Sequence, residues 1–182
     1  MNFTEQEKKN MLALVRTTLQ DYLAGGKEKN TSVPEKSLLQ KSGAFVTLHK
    51  LNGELRGCIG QMVSREPLYK TLIRMAKEAA FSDPRFDPLT KKELPAIKIE
   101  ISVLSPMKQI KNAAEIELGI HGVLVQKGDF SGVFLPQVAV ETGWNLEEFM
   151  NNLCAGKAGL PADAWKTGIV DIYIFTVDII KE

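Results

Sequence analysis

Arg56 and Cys58 stand two residues apart in Leu55-Arg56-Gly57-Cys58-Ile59-Gly60, and Thr47 and His49 lie shortly before them across an Asn52-Gly53 pair. A thiol beside a guanidinium and an imidazole is the setting in which thiolate becomes available near neutral pH, and the same cation can hold an anion. These side chains meet only if the chain reverses between them. Asn-Gly between two apolar runs is the strongest short-range hairpin signal, and here it separates residues 43–50 from 54–60. A loop of two residues, or of four centred on the same pair, sets Thr47 opposite Cys58 and His49 opposite Arg56. One side of the ribbon then carries Phe45, Thr47, His49, Arg56 and Cys58, the candidate site. The other carries Ala44, Val46, Leu48, Leu55 and Ile59, the candidate core. Gly57 and Gly60 leave the backbone bare, so that a ligand or another segment can approach closely.

Each residue also has a plainer reading. Cys58 as a small buried packing residue stands ahead of Cys58 as a nucleophile, because free cysteine is among the most buried residue types. Arg56 on a half-covered face needs a carboxylate or a ligand as partner. Arg85 lies between Asp83 and Asp87 in a loop stiffened by Pro84 and Pro88, where it either anchors the loop or faces a ligand, with anchoring preferred. His121 before Gly122 reads as a turn or strand-end histidine, and Trp144 and Trp165 as packing residues. The two histidines and two cysteines form no Cys/His metal spacing and no H-E-x-x-H, so no metal site is expected. Neither a P-loop nor a Rossmann glycine pattern occurs, and no cofactor is assigned.

The elements that must position these groups follow from periodicity. Thr4-Glu5-Gln6-Glu7 has the capping-box form, and Leu12, Val15, Leu19, Tyr22 and Leu23 recur at helical steps until Gly25-Gly26. Residues 27–35 read as a polar loop. A second helix starts near residues 64–67, with Leu68, Leu72, Met75, Ala76 and Ala79 on its apolar face, and ends before the Pro84 and Pro88 turn. Ile97, Ile99, Ile101 and Val103 alternate with Lys98, Glu100 and Ser102, the period of a strand with one wet side. Residues 123–127 and 131–135 predict a second hairpin around Gly128-Asp129-Phe130, and a helix over 146–153 follows Asn145. The run 168–180, apolar on both faces near its middle, predicts one central strand. Hairpin-linked strands with helices between groups predict an α+β fold with a largely antiparallel sheet.

A length of 182 residues, 44% of them hydrophobic and 25% charged, predicts one domain or one split into lobes. The formal net charge of +1 gives no general attraction to nucleic acid or an anionic membrane. The polar N-terminus MNFTEQEKKN has no signal-peptide form and no run reaches a membrane-spanning length, so a soluble cytoplasmic protein with free thiols is expected.

Leu55-Arg56-Gly57-Cys58-Ile59-Gly60, together with Asp83-Pro84-Arg85-Phe86 at this spacing, resembles the signature of the AMMECR domain family. The resemblance extends through Glu93-Leu94-Pro95, Ser102-Val103-Leu104-Ser105, Phe134-Leu135-Pro136-Gln137-Val138, Gly143-Trp144 and Lys157-Ala158-Gly159-Leu160, roughly residues 10–180. Ser64 stands where the family pattern usually has proline, and an extra residue separates Cys154 from Lys157. Arg56 and Cys58 therefore carry over more readily than Cys154. The resemblance implies a single AMMECR-type domain over 1–182, built of two subdomains with a cleft between them that the LRGCIG segment partly lines. It implies no named reaction. Bacterial members are called AmmeMemoRadiSam system protein A, which implies coupling to a Memo-like protein and a radical S-adenosylmethionine protein. The leading expectation is an accessory protein that binds a small anionic ligand or a partner segment through Arg56, His49, Thr47, Gly57 and Arg85. The first alternative is a thiol-dependent enzyme with Cys58 as its catalytic residue, Arg56 orienting the substrate and His49 shuttling the proton. The second is a nucleic-acid-associated regulator.

Overall fold

The computed structural model describes residues 3–26 and 35–182; the polar loop expected at 27–35 lies, Glu35 apart, outside the described residues. In chain order the elements are α1 (Glu5–Leu23), β1 (Ala44–Lys50), β2 (Leu55–Gln61), α2 (Leu68–Phe81), β3 (Ile97–Leu104), β4 (Lys108–Ile110), β5 (Gly122–Lys127), β6 (Phe130–Phe134), α3 (Pro136–Thr142), α4 (Leu146–Asn152), β7 (Asp171–Phe175) and β8 (Val177–Lys181). The chain divides into two compact units, one of residues up to Leu104 together with Asp178–Glu182, the other Ser105–Val177. Each unit has its own four-stranded sheet, and the class is α+β with antiparallel sheets.

In the first unit the strand order is β2-β1-β3-β8. Thr4 and Glu7 form the reciprocal capping box of α1, and Gly25 takes the positive φ of +74° that stops it. Met11, Val15 and Leu19 are fully buried. Tyr22, expected on the buried face, is 50% exposed; its ring stacks on Phe81 at 4.4 Å, covering the end of α2 instead of entering the core. The expected face of α2, Leu68, Leu72, Met75, Ala76 and Ala79, is buried throughout. Ala44, Val46 and Leu48 join Ile97, Ile99, Ile101 and Val103 in one core with the two helices, and each large side chain contributes roughly 1.5–3 kcal/mol by leaving water. Ser102, expected on the wet side of β3, is buried.

In the second unit the order is β4-β7-β5-β6. The expected hairpin is present with a two-residue loop, Gly128-Asp129, since Lys127 pairs with Phe130 and Gly128 adopts φ +57°. Asn145 and Glu148 cap α4 reciprocally, and the helix runs on into a π-helical turn, Leu153–Ala158. Phe149, Met150, Leu153 and Cys154 pack with Val123, Val125, Ile172 and Ile174 in this unit's core.

The apolar run expected as one central strand is two strands in two sheets. It breaks at Thr176, whose N–H donates to Ser105 Oγ at 2.9 Å while the Ser105 N–H donates to the Thr176 carbonyl at 3.0 Å. β7 lies inside its sheet and β8 at the edge of the other, so continuous hydrophobicity marks burial in each core and not one long element. β4, with three residues, and α3, with seven, are too short to show a period, and sequence reasoning missed both.

Candidate functional site

The β1–β2 ribbon carries the expected register from Ala44↔Gln61 to Leu48↔Gly57, with Thr47 opposite Cys58. It then slips. His49 pairs with Leu55, not with Arg56, because β2 holds one extra residue at a β-bulge beside the turn. The slip also corrects the face assignment: Leu55, expected in the core, is exposed, and Arg56 is 6% exposed.

Arg56 is committed to its own chain. Its Nε donates to Glu93 Oε1 at 2.9 Å and its Nη2 to the Asp87 carbonyl at 2.9 Å, and the guanidinium carbon lies 5.9 Å from the centre of the Phe86 ring. Glu93 spends its second oxygen on the Thr90 N–H and hydroxyl. These bonds, the Arg56 one first, pull the Glu93 carboxyl down to about 2 against the smaller opposing effect of burial. One donor of Arg56, Nη1, is buried without a hydrogen-bond partner.

Arg85 grips the same loop. Its Nε and Nη2 form a fork on Asp83 at 2.9 and 2.7 Å, and Nη2 also reaches the Cys58 carbonyl at 3.3 Å. Asp83 is buried and accepts the Cys58 N–H at 2.9 Å, so its carboxyl is held far below the usual range, by Arg85 first and by the backbone N–H groups of Cys58 and Arg85 in addition. The Arg85 side chain remains 54% exposed, with Phe86 5.5 Å from its guanidinium carbon. Its pKa is raised above the ordinary value, by Asp83 first. β2 is the edge of its sheet, and the segment from Asp83 to Glu93 is thus tied along that edge by two arginines.

Cys58 is half-buried, and the Thr47 hydroxyl donates to its Sγ at 3.2 Å. Gly57 and Gly60 do not share a role. A Cβ on Gly57 would come within 2.1 Å of the Ala79 carbonyl, so this residue is bare because α2 rests on it; a Cβ on Gly60 would meet the Phe45 ring at 2.2 Å. The close approaches are therefore made by the chain itself. His49 turns elsewhere: Nδ1 is 3.4 Å from the Gly53 carbonyl, and Nε2, buried without a hydrogen bond, is 3.9 Å from Glu100 Oε2, which Lys181 also holds at 2.9 Å. No hydrogen bond links His49, Arg56 and Cys58 among the described residues, and the cation that stands beside Cys58 is Arg85. Sequence reasoning named Asp83 as an acid at hand for Arg85 but missed Glu93; its only signal was its place in the Glu93-Leu94-Pro95 element.

Cys154 is fully buried and its thiol is pushed up by that burial, so it takes no part in a surface site. His121 accepts the Glu117 N–H on Nδ1 at 3.0 Å, the turn role expected of it. Trp144 and Trp165 pack against the second core. Among the described residues no helix is long and apolar enough to cross a membrane, and no group of three or more His, Cys, Asp or Glu is placed to hold a metal ion.

The AMMECR1 family profile matches residues 12–180. A Methanopyrus kandleri protein is 41% identical over 98% of this chain and 90% of its own length. A Nanoarchaeum equitans protein is 39% identical over 94% of this chain and 98% of its own. The crystal structure of the uncharacterized protein PH0010 from Pyrococcus horikoshii superposes with a TM-score of 0.83 at 35% identity, covering 99% of this chain and 93% of that one. The segment that two arginines tie along the edge of β2 falls inside the matched region, and the chain belongs to the AMMECR1 family.

Proposed function

We propose that this protein is an accessory protein of the AmmeMemoRadiSam group that binds a small anionic ligand beside the LRGCIG segment, working with a Memo-like and a radical S-adenosylmethionine protein. The observation that carries the reading is Arg85: a guanidinium fixed by its fork on Asp83, still 54% exposed, and set against the backbone of Cys58. A cation locked in place loses little entropy when an anion arrives, and a planar guanidinium suits a carboxylate or a phosphate. Thr47 and Cys58 border the ligand, and Arg56 acts at one remove by holding Asp87 and Glu93, with Nη1 as its one spare donor. Gly57 contributes by admitting α2 under the ribbon, and His49 lies beyond Thr47 on the same strand. The reading assigns no nucleic-acid partner, since a formal net charge of +1 supplies no electrostatic footprint for one.

One observation favours the thiol-enzyme alternative, the Thr47 hydroxyl that donates to Cys58 Sγ and so fixes where the sulfur points. A single experiment separates the two. Iodoacetate and iodoacetamide both need the thiolate, so the ratio of their rates at Cys58 reports the local field and not the ionised fraction. An anion site predicts a ratio higher than that of a free cysteine peptide, lowered by inorganic phosphate and by Arg85→Gln but kept by Arg85→Lys. A ratio equal to the peptide's and indifferent to phosphate removes the anion site. Turnover of a thiol-directed acyl or disulfide substrate that Cys58→Ser abolishes would favour the enzyme.

A further inference from the structure

The second unit holds a hollow of about 380 Å³ whose polar groups have found no partners. It is lined by Val133, Phe134 and Leu135 at the end of β6, by Gln137 and Glu141 of α3 and by Lys157 of the π-helical turn. Gln137 and Glu141 are four residues apart on a helix and so lie one above the other on one face. The Gln137 amide oxygen is buried without a hydrogen bond. Neither the Glu141 nor the Lys157 side chain makes a hydrogen bond or ion pair among the described residues, and the Lys157 ammonium instead stands 5.9 Å from the centre of the Phe134 ring. Lys157 is held there by backbone: a Cβ on Gly132 of β6 would come within 2.7 Å of the Ala158 N and 2.8 Å of the Lys157 Cβ, so the turn is seated on the strand at this glycine. π-helical turns inside helices recur at functional sites, and this one extends α4 at the point where Lys157 leaves it.

A cation from one element and two acceptors from another, unpaired in one hollow lined by apolar side chains, describe a ligand that carries both charges. We propose that this hollow binds a small zwitterion with an aliphatic body, an α-amino acid of the leucine kind. Its carboxylate meets Lys157, its ammonium meets the Gln137 amide oxygen and the Glu141 carboxylate, and its side chain covers Val133 and Leu135. The volume falls in the lower part of the ~300–1,000 Å³ range of small-molecule sites. The site lies wholly in the second unit and is independent of the Arg85 reading.

The test uses the full chain and free leucine, with binding read from amide chemical shifts of Gly132, Gln137 and Lys157. Leucine is expected to give saturable shifts, while N-acetyl-leucine, which lacks the ammonium, and leucinamide, which lacks the carboxylate, each bind roughly tenfold more weakly or worse, the loss of one charge-assisted contact. Lys157→Met keeps an apolar stem over Phe134 and is expected to weaken leucine by a similar factor while leaving leucinamide unchanged; Glu141→Gln does the converse with N-acetyl-leucine. Both positions are exposed, so the variants keep the fold, and an unchanged shift pattern elsewhere verifies it. Absence of saturable shifts at millimolar leucine overturns the proposal. So does equal binding of all three compounds, which would mean apolar contact alone.

Discussion

Asp83 accepts the backbone N–H of Cys58 through Oδ2 at 2.9 Å while both of its oxygens are gripped by Arg85, so one buried carboxylate joins the edge of β2 to the loop that follows α2. Asparagine in its place keeps one acceptor oxygen but loses the charge and the second acceptor, so the Cys58 N–H and the Arg85 fork can no longer both be satisfied. Asp83→Asn is expected to lower stability by about 1.5–3 kcal/mol, the range for hydrogen bonds to a charged group. Urea denaturation followed by circular dichroism measures it, and a midpoint equal to that of the unsubstituted chain would show that the carboxylate carries no stability.

The same carboxylates fix the sign of the acid response. Asp83 and Glu93 both have folded pKa values below their ordinary ones, so each binds its proton more readily when unfolded, and stability falls as pH falls. For Glu93 the contribution is complete above the ordinary carboxylate value of 4.5 and disappears as pH drops through about 2. It is modest, because Glu93 is 40% exposed and water screens the pair. Asp83, which is buried, retains its contribution to still lower pH. Denaturation midpoints measured at steps from pH 5 to pH 2 are expected to fall steadily in the unsubstituted chain and less steeply in Asp83→Asn and Glu93→Gln. A parallel slope in all three would sink the assignment.

Two glycines of one hairpin predict different losses for different reasons. Gly53 has φ +88° and open space around its missing side chain, so Gly53→Ala meets only backbone strain, about 1–2 kcal/mol. Gly57 has an ordinary φ, but its added Cβ would press the Ala79 carbonyl at 2.1 Å, against helix backbone that cannot rotate away. Gly57→Ala is expected to cost more than Gly53→Ala, at or above the upper end of the ~1–3 kcal/mol range for overpacking. Reversal of that order in thermal or urea melts would mean that α2 does not rest on β2 as described.

The hairpin was legible where physics is local and failed where it is not. Asn52-Gly53 and the alternation on either side specify five consecutive pairs, including Thr47 opposite Cys58, since turn chemistry and burial act within a few residues. The bulge beside His49 has no local signature. It goes with the burial of Arg56, whose carboxylate partner lies 37 residues on, and no pattern near Arg56 encodes a distance of that kind. Arg85 was readable because its partner is two residues away in a proline-stiffened loop. The apolar run through Ile172 and Ile180 conveyed burial correctly and strand number wrongly, because the break at Thr176 depends on Ser105, far back in the chain. Lys157 looked like a basic residue near a helix end, and only the π-helical turn seated on Gly132 gives it a site.

The two thiols should separate cleanly in a labelling experiment on the native chain. Cys58 is half-buried with its sulfur hydrogen-bonded to a hydroxyl, whereas Cys154 has no exposed surface, packs in the second core, and has its thiol pushed up by burial. A small alkylating reagent can reach the first without any opening of the fold. The second can react only through unfolding of its unit, and its rate then follows the population of the open form. Iodoacetamide at neutral pH followed by peptide mass mapping is therefore expected to modify Cys58 in full before Cys154 is detectably modified, and mild urea should accelerate Cys154 alone. Thr47→Val keeps the shape and removes the hydroxyl that donates to Cys58; it is expected to change stability by no more than about 1 kcal/mol. Equal native rates at the two cysteines would show that Cys58 is sealed as deeply as Cys154, and the ribbon would then present backbone and guanidinium to solvent but no sulfur.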